Sequence, residues 1–249
     1  MTNIAGSLCC CHRSNHRLKN CIMKFYEKLA KLCRREAHRR GWRRAKRSIF
    51  RLPLGPVLAD IDQNRLAEIQ KRYAGQKYSD VDYWLRVNRE RVQDLKLHRT
   101  PAQRVLDLGC GGGFFLFILK RFGHSVLGLD VDESELFKEL LEVFGVPRMV
   151  FPIQPFDSLP NFHQQFDWIT AFSIGFDRNR NTKTRWDVAE WEFLLRELQL
   201  RLAPGGKIYL TVNPFPTGEY LTRELRDFFS SRGADIERER IFFKRGVRF

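Results

Sequence analysis

The sequence has no apolar run approaching the roughly 18 to 20 residues that a membrane-spanning helix requires, and Ile4 to Leu8 is too short and too polar for the core of a secretory leader. Cysteine is scarce outside one end. Of six, Cys9, Cys10, Cys11 and Cys21 fall in the first 21 residues, and their spacing, even with His12 and His16, matches no paired C-x-x-C zinc pattern. The expectation is an unstructured, metal-free tail in a reducing cytoplasm. Acid is scarce at the same end: residues 1–51 hold 15 of the 44 Lys/Arg but only 2 of the 29 Asp/Glu, leaving 29 basic and 27 acidic residues for 52–249. The net charge of +15 therefore belongs to the tail, and a nucleic-acid partner is not expected on the nearly neutral remainder. With 249 residues, 43% of them hydrophobic, the chain can build one sizeable core.

What it does have is the stretch Arg104 to Gly113, RVLDLGCGGG. Val105, Leu106 and Leu108 form a short apolar run suited to a buried parallel strand. Asp107 precedes glycines at alternate positions, Gly109, Gly111 and Gly113, and a helix-like run from Phe114 to Phe122 follows without a gap. Glycine suits a tight turn that a ligand approaches closely, and the helix start beyond it offers free N–H donors. A dinucleotide fingerprint fails in both registers, because G-x-G-x-x-G begun at Gly109 meets Phe114 and begun at Gly111 meets Leu116.

The acid-x-Gly-x-Gly-x-Gly pattern of Asp107, Gly109, Gly111 and Gly113 instead resembles motif I of the class I S-adenosylmethionine-dependent methyltransferases. That resemblance implies an α/β Rossmann-like fold: a doubly wound, mostly parallel sheet of six or seven strands with helices on both faces, here with an N-terminal helical extension. It implies S-adenosylmethionine as cofactor, with its methionine end against Asp107, Gly109, Cys110, Gly111 and Gly113. Ser125 to Leu129 reads as the next strand and ends at Asp130, 17 residues after Gly113, where a βαβ unit returns to the same sheet edge. The resemblance gives Asp130, with Val131 beside it, the ribose hydroxyls. After a third strand, Met149 to Ile153, the family commonly has an acid for the adenine; this chain has Gln154, Pro155 and Phe156, so Gln154 and the backbone near Phe156 take that place.

Taken in order, 1–51 is a basic tail with an amphipathic helix over Ile22 to Arg40, a surface suited to nucleic acid or an anionic membrane as well as to plain packing; Met23 is a candidate natural start. Pro53, Gly55 and Pro56 mark a linker. Residues 52–100 form a helical cap: one helix from Ile61 to Tyr73, and a second opened by a Ser79/Asp82 capping box and running to Leu97. Tyr73, Tyr78 and Trp84 are candidate lid residues, Trp84 more a core filler. The cofactor domain, 101–249, continues with a helix from Glu133 to Phe144 stopped by Gly145, in which Asp132 and Glu133 are read as capping. A strand at Phe166 to Phe172 follows, then a helix capped by Asp187 and Glu190. The Leu202 to Gly206 turn leads into a strand at Lys207 to Val212, a helix spans Gly218 to Arg232, and Ala234 to Lys244 is one strand-like run, with a short or missing final strand.

No Asn/Asp-Pro-Pro-aromatic amine motif follows the fourth strand, which reads Ala171-Phe-Ser-Ile-Gly175, and no base announces itself. Asp177, His163 and Asn213 are candidates to face the cleft. The loop with Asp177, Arg178, Arg180, Lys183 and Arg185 suits an anionic acceptor or simply a solvated surface. The expected function is methyl transfer to a small-molecule, saccharide or lipid-linked acceptor. The alternatives are RNA or protein methylation through the basic tail, and a non-catalytic module that keeps the glycine loop as scaffold.

Overall fold

The computed structural model describes Leu58, residues 61–178 and residues 184–249. The basic tail, where the sequence leads one to expect an amphipathic helix, the proline linker, Arg180 and Lys183 lie outside the described residues.

Strand β1 is Arg104–Leu108, and Val105, Leu106 and Leu108 are fully buried, as a strand covered on both faces requires. Around it lie β2 (Ser125–Asp130), β3 (Arg148–Val150), β4 (Phe166–Ile174), β5 (Leu202–Val212), β6 (Asp235–Glu237) and β7 (Arg240–Phe243), in the order β3-β2-β1-β4-β5-β7-β6. The first five are parallel, β7 runs antiparallel to β5, and β6 antiparallel to β7. The order reverses at β1, whose neighbours are β2 and β4; that junction is where open α/β sheets bind ligands.

Among the described residues six α-helices accompany the sheet: α1 (Gln63–Arg72), α2 (Val81–Asp94), α3 (Phe114–Arg121), α4 (Glu135–Phe144), α5 (Val188–Arg201) and α6 (Arg223–Ser231). Helices α5 and α6 cover the face bearing Leu106, Leu108 and Ile169, where Trp191 meets Phe229 and Phe229 meets Phe243. Alternation along the strands sends Asp107, Thr170 and Phe172 to the other face, under α2 and α3, where Phe115 packs on Phe172. Helix α3 is too apolar to have a wet side, with Phe114 to Leu119 all buried. Tyr73 Oη and Arg72 Nη1 both donate to Glu139, 2.7 Å each, and tie α1 to α4.

Several boundaries differ from the sequence expectation for local reasons. Asp80, not Ser79, caps α2, accepting from Tyr83 N (2.9 Å), while the Ser79 hydroxyl donates to Gln76 O. Ser134 caps α4; Asp132 instead pairs with Arg148 and Lys138. β3 stops at Val150, before Pro152, which has no N–H for a ladder. The capping box of Asp187 and Glu190 is present. α6 starts only after Thr222, its N-cap. The final run is two strands of a hairpin turning at Arg238 and Glu239, so the sheet has seven.

Candidate active site

A cavity of about 620 Å³ opens over the carboxyl ends of β1, β2 and β4. Its floor is the loop after β1, tied down by Gly109 N donating to Leu129 O (2.7 Å). Gly109, Gly111 and Gly113 have φ of +71°, +54° and +75°, a left-handed backbone that side chains resist. They serve different ends. A methyl group added at Gly109 would meet nothing within 4 Å, so the loop is open there; one added at Gly113 would lie 2.6 Å from Leu141 Cδ2, inside the packing of α4. Gly128 on β2 is required by the loop from below, since a Cβ there would stand 2.5 Å from Cys110 Sγ.

Two carboxylates flank the loop. Asp107, almost wholly buried, accepts from Thr170 Oγ1 (2.6 Å). Burial raises its pKa from 3.8 to about 7, against the opposing pull of the Thr170 hydroxyl and the Arg91 guanidinium. Asp130 accepts from Gly111 N through Oδ2 (2.6 Å) and from Val131 N through Oδ1 (2.7 Å). Burial raises this carboxyl too, and the two backbone N–H groups oppose the rise. A carboxylate has about four acceptor positions, so Asp130 keeps capacity for ligand hydroxyls. Burial also pushes the Cys110 thiol up, which leaves it inert.

The walls come from α2 and the end of β4. Helix α2 buries Val81, Leu85 and Val92 against the domain, and a second stripe one step round, Trp84, Asn88 and Arg91, faces the cavity. Trp84 Nε1 donates to Lys77 O (2.6 Å), and Tyr78 packs on Trp84 at 4.6 Å between ring centres. Opposite, the chain leaving β4 takes φ of +52° at Ser173 and is latched to β5. Ser173 N donates to Thr211 Oγ1 (2.7 Å), and Asn213 Nδ2 donates to Ser173 O (3.1 Å) and Ile174 O (2.8 Å).

Of the residues singled out from the sequence, Asp107, Gly109, Cys110, Gly111, Asp130, Val131 and Gln154 line the cavity. Gly113 lies behind the loop as the N-cap of α3. Phe156 is exposed, with φ of +61° and its ring against Phe193, and its neighbours Ile153 and Pro155 line the cavity instead. Tyr78 and Trp84 are wall residues, whereas Tyr73 is engaged with Glu139. The three cleft candidates do not reach the lining. Asp177 is buried against Arg185 (2.9 Å), Asn213 serves the β4 turn, and His163 is exposed near Pro160 and Leu200. Of the basic loop, Arg178 lines the cavity and Arg185 turns inward to Asp177 and Pro214 O. Sequence reasoning missed Asn88, Arg91, Phe115 and Phe172, although the 4-and-3 spacing of Trp84, Asn88 and Arg91 marks a second helix face.

A parallel sheet switching order at β1, with a glycine loop and a carboxylate at the end of β2, defines a Rossmann-like nucleotide-binding protein. Residues 99–223 match the family model described as a methyltransferase domain, about half of the chain. The chain belongs to that family, the class I S-adenosylmethionine-dependent methyltransferases. A Mycolicibacterium smegmatis protein named "Probable S-adenosylmethionine-dependent methyltransferase" is 24% identical over 173 residues, 64% of this chain and 62% of that one. The tRNA U34 carboxymethyltransferase of Campylobacter hominis is 23% identical over 111 residues, 44% of this chain and 35% of its own. The chain thus spans less than two thirds of either curated relative. Among solved structures, the amino pentose methyltransferase CalS10 of Micromonospora echinaspora gives a TM-score of 0.39 at 23% identity, covering 70% of this chain and 64% of that one.

Proposed function

We propose that this protein transfers the methyl group of S-adenosylmethionine to a small-molecule acceptor. The observation that carries the reading is the open cradle at Gly109, where nothing lies within 4 Å of a would-be side chain, beside an Asp130 carboxylate already latched to Gly111 N. Asp130 has acceptor capacity for two ribose hydroxyls, and Gly109 to Gly111 present backbone at contact distance to the methionine portion. Asp107 at the loop's base suits the α-ammonium, directly or through water. Gln154, Ile153 and Pro155 supply a polar and an apolar edge for the adenine; Phe156 is not needed for it.

When bound, S-adenosylmethionine supplies an electrophilic methyl on a positively charged sulfur. The residues of this chain align and shelter. Phe115, Phe172, Tyr78 and Trp84 wall the space between cofactor loop and β4 with aromatic surface, which excludes water and favours a cationic sulfur over ring faces. Such alignment supplies much of the acceleration of a two-reactant displacement.

Calorimetry tests the reading. The full-length protein is expected to bind S-adenosylmethionine, and Asp130→Ala to weaken that binding at least tenfold, about 1.4 kcal/mol; no heat from the wild type would overturn it in favour of a scaffold module. A polymer acceptor is the second reading, supported by the 15 Lys/Arg against 2 Asp/Glu in residues 1–51. It predicts RNA binding whose affinity falls steeply between low and moderate salt.

A further inference from the structure

A smaller hollow of about 170 Å³ adjoins the main cavity, with Arg91, Phe172 and Ser173 as walls of both. It lies over β4 and β5, on the side of β1 away from β2 and Asp130. Tyr209 and Thr211, two apart on β5, share one sheet face and line it. Asp94 at the end of α2, with Glu239 and Arg240 of the final hairpin, supplies the charged part of its lining.

Tyr209 is 8% exposed, its ring centre 5.8 Å from that of Phe172 and 5.7 Å from that of Phe242. A buried tyrosine hydroxyl ordinarily has a hydrogen-bond partner. This one has none among the described residues, and it opens on the hollow. Burial pushes its pKa up, Arg240 and Arg91 oppose the rise, and Asp94 and Glu239 add to it, so the hydroxyl keeps its proton to donate. Thr211 Oγ1 accepts from Ser173 N (2.7 Å) and also keeps an O–H to give. Arg240 stands 3.9 Å from Asp94 Oδ2 and 3.8 Å from Glu239 Oε1, too far for direct hydrogen bonds. Donors and acceptors thus face one small space together.

The mixture of charges selects the occupant. Arg91 is coupled to Asp107 on the cofactor side, so the hollow's own charges are Asp94, Glu239 and Arg240. An anion entering it would meet two carboxylates, and a cation would meet two guanidinium groups. Neutral hydroxyls, which donate and accept at once, meet neither objection. The volume equals about six waters at roughly 30 Å³ each, the scale of one hydroxylated ring, and the rings of Phe172 and Tyr209 offer apolar surface for its carbons. We propose that the acceptor carries a neutral saccharide ring, that this hollow receives it, and that the Tyr209 hydroxyl, Asp94 and Glu239 hydrogen-bond its hydroxyls; this rests on the methyltransferase reading above. The ring is the recognition element and directs the rest of the acceptor past Phe172 towards the cofactor.

The test uses the full-length protein loaded with S-adenosylhomocysteine and titrated, with saturation-transfer NMR as readout, with the methyl glycosides of glucose, galactose, mannose and rhamnose. Methyl glucosiduronate and methyl glucosaminide are the ring-matched anionic and cationic comparators. At least one neutral glycoside is expected to bind saturably, and the charged comparators about tenfold or more weakly than it. Tyr209→Phe, which removes only the hydroxyl, should weaken that glycoside about fivefold or more, and Asp94→Asn should act in the same direction. Both variants should hold S-adenosylhomocysteine about as well as wild type. Failure of all the neutral glycosides to saturate overturns the proposal, as do charged comparators that bind equally well. So does a Tyr209→Phe protein with wild-type glycoside affinity. If a variant does not fold, the comparison of neutral with charged rings on the wild type still decides. A protein that does not bind S-adenosylhomocysteine sinks the methyltransferase reading itself, whereas cofactor binding without glycoside binding sinks only the acceptor class.

Discussion

The sharpest division in the glycine loop is between Gly109 and Gly113, and two single substitutions separate their jobs. Both have a left-handed backbone, φ of +71° and +75°, so alanine at either position carries about 1–2 kcal/mol of backbone strain. At Gly109 that is all, because the new methyl meets nothing within 4 Å. At Gly113 the methyl would also lie 2.6 Å from Leu141 Cδ2 and 3.5 Å from Val146, in a packed interior. Overpacking of that kind adds about 1–3 kcal/mol. Urea denaturation should therefore rank Gly113→Ala well below Gly109→Ala, by about 2–5 kcal/mol of loss against about 1–2. Calorimetry with S-adenosylmethionine should rank them the other way, with Gly109→Ala weakened at least tenfold and folded Gly113→Ala near wild type. A Gly109→Ala protein that binds the cofactor normally would refute the cradle, and a Gly113→Ala protein as stable as wild type would refute the packing argument.

Two further outcomes follow from buried charge. The Asp107 carboxyl is raised from 3.8 to about 7, so the folded state holds its proton longer than the unfolded chain; the stability it contributes is complete below pH 3.8 and is lost as pH rises through about 7. Asp107→Asn should then make the ligand-free protein more stable at pH 8, by up to about 4 kcal/mol, with the advantage vanishing near pH 4. Equal pH profiles for variant and wild type would contradict this. Arg185 and Asp177 form an ion pair whose side chains are 10% and 3% exposed. Arg185→Met strands a buried carboxylate and should cost about 3–5 kcal/mol in denaturation, with much of it recovered by adding Asp177→Asn.

The central fold was legible because its signals are local. The Val105 to Leu108 run, the alternate glycines and an acid 17 residues after Gly113 need no knowledge of distant contacts, and they lead to β1, the loop and β2 as found. The walls were harder. Trp84 sits in a helix whose apolar spacing suggests core, yet Val81, Leu85 and Val92 are buried there and Trp84 is not; the rotation of α2 that turns Trp84, Asn88 and Arg91 to the cavity is set by packing against α3, which a local pattern does not encode. Asp177 had a cleft-facing address in the chain, but Arg185, eight residues on, draws it inward. The final hairpin was hidden because its turn has Arg238 in the left-handed region, φ +54°, with no glycine or asparagine to announce it.

The bond from Gly111 N to Asp130 Oδ2 makes one mechanical unit of two contacts that would touch opposite ends of a nucleoside. A lesion in either partner loosens the other. Double-mutant cycles across this latch should therefore be strongly non-additive, and partial ligands that reach only the sugar end should already stiffen the turn that receives the amino-acid end.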